Sequence, residues 1–203
     1  MNLEFAAEEG SVVADEPLAA RTTWKIGGPA KWFVRVRTEE ALARTLAAAS
    51  DAAVATAILG MGSNILVPDE GFPGAVIRLD GDFLKVAIEG ECVRAGGGAA
   101  LGAVCAAAAR AGLSGIEPIS GIPSSIGAAV RINAGAYGGE IFDVLTAVRL
   151  VSPAGRARSA AAAEIPHSYR WSALIETREI VVSASLGLHR APLAEIEAKT
   201  HLV

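Results

Sequence analysis

The chain has 203 residues, 52% of them hydrophobic, and a net charge of −4 from 18 Lys and Arg against 22 Asp and Glu. That size fits one domain, or two small lobes on a shared core, and the apolar content excludes a disordered polymer. The charge and the scattered aromatics (three Trp, two Tyr, five Phe) argue against a nucleic-acid partner.

No apolar stretch approaches the roughly 18 residues of a membrane span, and the acidic start lacks the basic-then-apolar pattern of a secretory signal. Cys92 and Cys105 make neither a disulfide framework nor a zinc-site spacing. A cytoplasmic protein with free thiols, binding neither membrane nor nucleic acid, is expected.

Residues 1–20 are acidic and without periodicity, and are expected to form a loose extension. Residues 31–36 alternate as a strand. Thr38 ahead of Glu39 and Glu40 is an N-cap followed by an acidic first turn, predicting a helix to about residue 49 with Leu42 and Leu46 on its buried face. Residues 55–59 and 75–79 are short apolar runs expected to be buried strands. These elements make a first lobe over residues 21–80.

A second lobe is expected over residues 81–190. Strands at 83–88 and 92–95 flank a three-residue hairpin loop, Glu89-Gly90-Glu91. Residues 99–111 are an alanine-rich helix with Leu101, Val104, Cys105 and Ala108 inward and Gly112 as its stop. A hairpin over 146–159 turns at Pro153-Ala154-Gly155, and a last strand runs from 179 to 188. Residues 191–203 begin another helix.

The 22 glycines cluster, which marks sharp turns or close backbone approach. Gly60-Met61-Gly62-Ser63-Asn64-Ile65 follows a strand; it is equally a plain turn or a run of N–H groups shaped for phosphate oxygens, with Ser63 and Asn64 as added donors. It is no ordinary dinucleotide fingerprint, because Ile65 stands where a third glycine belongs, and Gly96-Gly97-Gly98 fails at the same place. In residues 121–138, Pro123 suits a first helical position, Ser124 and Ser125 place donors at the helix start, and Gly127, Ala128 and Ala129 are small enough for a flat ligand. The alternative there is tight helix packing. In residues 166–172, Arg170 offers a fixed fork of donors to an anion, although a lone loop Arg is more often a surface residue. His167 is equally a satisfied loop residue.

Together these segments resemble the UDP-N-acetylenolpyruvoylglucosamine reductase (UDP-N-acetylmuramate dehydrogenase) family. The resemblance rests on Thr22-Thr23-Trp24-Lys25-Ile26-Gly27-Gly28-Pro29-Ala30, the 60–66 loop, Gly112-Leu113-Ser114-Gly115-Ile116-Glu117, residues 121–139, and Ser168-Tyr169-Arg170-Trp171-Ser172-Ala173-Leu174, in the family's order. It covers roughly residues 21–190. Family members usually carry Gly where this chain has Ser124 and Ala128.

The resemblance implies an α+β, two-lobed FAD-binding fold of the vanillyl-alcohol-oxidase type. It assigns cofactor binding to Gly60, Gly62, Ser63, Asn64, Ile65, Ile122, Pro123, Ser125, Gly127, Asn133, Gly135 and Tyr137. Tyr169 and Arg170 become substrate-binding, with Arg170 also the catalytic residue, and no metal is implied. NADPH as hydride donor and a UDP-sugar enolpyruvyl ether as substrate are implied, in a cytoplasmic step of peptidoglycan precursor synthesis. The family's third, substrate-binding domain, with its proton-donating Ser, has no match here, so residues 191–203 are expected to be that domain's start. A non-catalytic FAD-binding module pairing with another chain is the alternative. A covalent-flavin oxidase of the same fold is disfavoured, because no His lies in the 60–66 or 121–127 loops.

Overall fold

The computed structural model describes residues 8–201. The first sheet has the order β1-β2-β4-β3, with β1 Gly10–Pro17, β2 Pro29–Val36, β3 Thr56–Ile58 and β4 Phe72–Leu79. β1 is antiparallel to β2, while β2 and β3 both run parallel to β4. Helix α1, Glu39–Asp51, makes the crossover between β2 and β3. It starts as expected: Thr38 is extended and its Oγ1 accepts the Ala41 N–H at 3.2 Å, while Leu42 and Leu46 are buried.

Two expectations for this lobe are corrected. Residues 10–17 are not loose; they form β1, in register with β2 from Gly10 opposite Val36 to Pro17 opposite Pro29. An edge strand draws its stability from ladder hydrogen bonds and needs no apolar alternation, so its acidic, periodicity-poor sequence hid it. Residues 1–7 of the expected extension lie outside the described residues. β3 is not buried either: Thr56 and Ile58 are exposed, because β3 is the opposite edge strand and faces a cleft.

The second sheet is antiparallel in the order β11-β10-β14-β6-β5, with β5 Val86–Glu89, β6 Cys92–Gly96, β10 Leu145–Val151, β11 Ala157–Ala161 and β14 Ile180–Gly187. Helices α2 (Leu101–Arg110) and α3 (Ile126–Arg131) pack against it. The buried residues of α2 are Leu101, Val104, Cys105 and Ala108, the face expected from its sequence. Between these elements lie the two-residue strands β7 (Leu113–Ser114), β8 (Gly135–Ala136), β9 (Gly139–Glu140), β12 (His167–Ser168) and β13 (Trp171–Ser172). A single helical turn, α4 (Leu174–Thr177), leads into β14; the short β15 (His189–Arg190) and helix α5 (Leu193–Thr200) follow. The β5–β6 hairpin is tighter than expected: Glu89 pairs with Cys92 across a two-residue loop in which Gly90 takes φ +64°, and Phe83-Leu84 belong to a preceding 3₁₀ turn. That left-handed conformation is cheap only for glycine, which explains the shorter loop.

Each lobe has a buried cluster of its own, around Phe33, Leu59 and Val76 in the first and around Leu101, Ile126 and Leu150 in the second, and the two lobes are also joined. One cluster of buried side chains joins Val34, Val36, Leu42, Leu46, Ile77 and Leu79 of the first lobe to Val151, Ile180 and Val182 of the second. Arg149 of β10 reinforces the junction with two hydrogen bonds to the Glu39 carboxylate, at 2.8 and 3.2 Å. Because the apolar face of α1 is spent on this joint core, Leu42→Ala is expected to destabilise the protein by about 2–5 kcal/mol. Both lobes should then unfold in one transition, with far-ultraviolet circular dichroism and Trp fluorescence coinciding in urea.

Glu179 accepts two short bonds from Arg158, both at 2.6 Å, and this pairing holds its carboxyl below the usual 4.5. Burial pushes the Glu117 carboxyl up, but bonds from Ser114 Oγ and the Gly115 N–H and the charge of Lys199 outweigh it and leave the group lowered. Both carboxylates therefore contribute stability that is fully present above pH 4.5 and is lost as pH falls through their depressed folded values. An acid titration of the melting temperature should drop less steeply below that pH in the Glu179→Gln variant.

Candidate functional site

A cavity of about 330 Å³ opens where the two sheets meet. Its walls come from the end of β3 (Ile58), from Leu59, Gly60 and Met61, from the end of β4, from Gly97 and Gly98 after β6, from Ser125, Gly127, Ala128 and Arg131 around α3, and from the start of β14. Two carboxylates line it, Asp80 and Glu179, and both are neutralised, by Arg35 and Arg158 respectively.

The 60–66 loop forms one rim. None of its backbone N–H groups, from Gly60 to Leu66, donates to another residue within the described chain. A run of unspent donors in a glycine-bent turn is the arrangement that receives phosphate oxygens. The turn is held from behind. Gly62 has φ +71°, and a β-carbon on it would overlap the Arg21 carbonyl, while the Gly62 carbonyl accepts the Thr23 N–H at 2.9 Å. Residues 22–28 are thus the brace of this loop. Ser63 donates its hydroxyl to the Pro123 carbonyl and ties the loop to the opposite lobe. The Asn64 side chain is exposed without a partner among the described residues, and Ile65 packs onto the first lobe's own buried cluster, beside Leu59 and Val67.

The second rim differs from expectation. Helix α3 begins at Ile126, not at Pro123, and Ser125 is its N-cap. Its first N–H groups are spent inside the protein: Ile126 on the Ala99 carbonyl, Gly127 on Gly97, and Ala128 on Ser125 Oγ. The helix start is therefore no anion site, since its donors are used in joining the 97–100 segment. What Ser125 still offers the cavity is its hydroxyl hydrogen. Gly127 must be small, because a β-carbon there would sit 2.9 Å from the Val181 carbonyl and 3.0 Å from that of Gly97. Ala129 faces the core, fully buried, and not a ligand. The β-carbons of Ser124 and Ala128 are both accommodated: the Ser124 hydroxyl donates to the Ser125 carbonyl at 3.0 Å, and Ala128 lines the cavity.

Asn133 is placed otherwise than expected of a cofactor ligand. It is fully buried with φ +46°; its amide donates to Glu140 at 2.6 Å and to the Ser168 carbonyl at 3.0 Å, and its Oδ1 accepts the Phe142 N–H at 3.4 Å. Every polar atom of the side chain is spent on protein. Its work is to bind the β8–β9 hairpin to the β12–β13 hairpin. Gly135 is glycine for the same packing, since a β-carbon would lie 2.8 Å from Glu140 Cγ. Tyr137 and Tyr169 stand at the tips of these hairpins, 70% and 80% exposed, and the Arg170 guanidinium lies 5.8 Å from the Tyr169 ring centroid. Ile122 packs on the second lobe's core and Pro123 is exposed. His167 is a satisfied loop residue, stacked on Phe142 at 4.0 Å.

Among the residues assigned to the cofactor, Gly60, Ser125 and Gly127 line the cavity, and Gly62, Ser63, Asn64 and Ile65 shape its rim. Sequence reasoning missed Gly97, Gly98, Arg131 and Val181. The glycine run at 96–98 was the available signal, and its failure as a dinucleotide fingerprint concealed its use as a wall: a β-carbon on Gly97 would overlap the Val181 carbonyl. The arrangement offers a dinucleotide two kinds of partner: a largely apolar cleft, whose two carboxylates are paired and which Arg78 and Arg131 also line, and the N–H donors of the loop at its end.

Residues 30–161 match the family model described as FAD binding domain, which makes this a flavin-dinucleotide-binding chain. The 6-hydroxy-D-nicotine oxidase of Arthrobacter nicotinovorans, 18% identical with a TM-score of 0.68 over 92% of this chain and 43% of its own, shares the fold, which is of the vanillyl-alcohol-oxidase type. The chain belongs to the UDP-N-acetylenolpyruvoylglucosamine reductase family. It is 38% identical to UDP-N-acetylenolpyruvoylglucosamine reductase 2 of Symbiobacterium thermophilum over 94% of this chain and 62% of that protein. The enzyme of Parvibaculum lavamentivorans is 45% identical over 79% of this chain and 52% of that protein. The solved UDP-N-acetylenolpyruvylglucosamine reductase of Thermus caldophilus is 37% identical with a TM-score of 0.82, over 95% of this chain and 67% of that one. The chain thus spans under two thirds of the length of these two curated relatives.

Gly62→Ala is expected to lower the melting temperature and weaken FAD binding together, because the new methyl meets backbone in a left-handed conformation. Gly102→Ala, whose β-carbon finds only the Ser120 carbonyl at 3.7 Å, should do neither. Thermal melts and flavin fluorescence titrations of the two variants check the pair.

Proposed function

We propose that the chain binds FAD in the interlobe cleft and forms the flavin-carrying part of an NADPH-dependent reductase of peptidoglycan precursor synthesis, which turns the enolpyruvyl ether of UDP-N-acetylglucosamine into UDP-N-acetylmuramate. One observation carries the reading: a loop of seven residues, 60–66, whose backbone N–H groups have no acceptor among the described residues, braced beside an apolar cleft. When bound, FAD supplies the redox centre that takes hydride from NADPH and passes it to the enolpyruvyl carbon.

The chain's own residues bind and orient. The 60–66 amides, the Asn64 amide and the Ser125 hydroxyl hold the diphosphate and its ribose; Ile65, Ile122, Pro123 and Gly127 shape the cleft. Gly135 and Tyr137 belong to the hairpin that carries the substrate side, and Asn133 holds that hairpin against the Tyr169–Arg170 tip. Tyr169 and Arg170 receive the substrate. The Arg170 guanidinium neutralises the enolpyruvyl carboxylate and the negative charge that grows on it as hydride arrives, which is where a fixed cation lowers a barrier most. The proton for the neighbouring carbon is assigned, by family resemblance, to a Ser in the part of the relatives this chain does not span. Such a reductase works in the cytoplasm, beside its UDP-sugar; among the described residues no helix is long and apolar enough to cross a membrane.

A second reading, an FAD-binding module completed by another chain, is favoured by one feature. Trp24 and Leu66, at the brace and rim of the loop, are 66% and 72% exposed.

The reading is tested by adding FAD to apoprotein, then NADPH and substrate without oxygen. The expected result is a yellow protein that NADPH bleaches. Arg170→Met should take up FAD as the wild type does, yet slow substrate-dependent return of colour by about 10²-fold or more. Apoprotein that refuses FAD would sink the proposal, and bleaching without any return would favour the module.

A further inference from the structure

Beside the inner cavity, on the outer side of β3, lies a second one of about 580 Å³. The two share Ile58, Arg131 and Ile180 as lining. The outer cavity is otherwise lined by α1 (Leu46, Ser50), by residues 54–57, by Pro153 of the β10–β11 turn, and by Arg178. Two guanidinium groups therefore line it, and no carboxylate does.

Neither arginine has an ion pair among the described residues. Arg131 is half-buried, and among the described residues its guanidinium makes one hydrogen bond, to the Ile175 carbonyl at 3.4 Å. Arg178 is fixed at the end of α4 by a left-handed backbone, φ +56°. Its neighbour Glu179 does not neutralise it, because both Glu179 oxygens are taken by Arg158. Burial, and then the charge of Arg178, lowers the Arg131 pKa. Like charges gathered at one partly dry cavity carry a desolvation and repulsion cost that an anion between them removes. Two planar forks suit phosphate oxygens, which they engage in bidentate pairs.

We infer that Arg131 and Arg178 form a phosphate-binding site in the outer cavity, separate from the 60–66 loop, that receives a phosphate group of a nucleotide whose apolar parts rest on Leu46, Val54 and Ile58. This goes beyond the flavin reading and stands on the outer cavity alone. Because the diphosphate of FAD is assigned to the 60–66 loop, the phosphate here belongs to a second nucleotide, of the NADPH type with a 2′-phosphate.

The test is the rate at which phenylglyoxal modifies each arginine, read by peptide mass spectrometry on the full chain. Inorganic pyrophosphate added to apoprotein should slow modification of Arg131 and Arg178 by about tenfold, leaving the exposed Arg94 unchanged. Protection of FAD-loaded protein once 2′,5′-ADP is added is the expected result, whereas full protection by FAD alone would overturn a site separate from the flavin's. Arg178→Gln changes an exposed side chain and should fold normally by circular dichroism. It is expected to raise the pyrophosphate concentration that half-protects Arg131 by about tenfold. If pyrophosphate, FAD and 2′,5′-ADP all leave both arginines as reactive as before, or if Arg178→Gln leaves the half-protecting concentration unchanged, the inference is overturned. A failure of the flavin reading looks different: no FAD is taken up, while pyrophosphate still protects the pair.

Discussion

The lobes meet by sharing apolar side chains, and everything else follows from that junction. Ile180 and Val182, at the start of β14, enter the same buried cluster as Val34, Ile77 and the inner face of α1. Burial of this kind is non-directional, but it fixes separation: two sheets packed through a common layer cannot drift apart without exposing it. Where the shared layer stops, at the edge strand β3, the sheets diverge and leave the cleft. A nucleotide there would touch both lobes without having to bring them together, so little ordering cost falls on binding.

The glycines act on the same junction at shorter range. Gly97 lies against the Val181 carbonyl and Gly127 against Gly97, so three backbone segments from distant parts of the chain approach closer than any side chain allows. Their N–H groups are consumed in that approach. The 60–66 loop, by contrast, is bent by Gly62 and braced by residues 21–23, and its amides are left over. Of the two glycine-rich segments, one is structural cement and the other an open hand.

Much of this was legible in the sequence because it is local. The Thr38 cap, the inward face of α2 and the turn at Gly155 each depend on residues within a few positions of one another. The phosphate-ready loop was visible for the same reason. What sequence order concealed was partnership across the chain. β1 needed β2 to become a strand, the first two N–H groups of α3 were spent on residues some thirty positions earlier, and Arg131 and Arg178 came to line one cavity from separate segments of the second lobe. The family resemblance placed Asn133 at the flavin. Its immediate surroundings, a left-handed backbone and three protein partners, could not be inferred from spacing.

Asn133 also lets the fit of two hairpins rest on a single side-chain nitrogen. Its nitrogen holds a carboxylate and a carbonyl at once, two acceptors that only an amide can satisfy together. An aspartate at this position would keep the shape while replacing that donor with an anion facing Glu140. The rivet between the two hairpins would become a wedge, and the Tyr169–Arg170 tip would be the first part of the protein to lose its place.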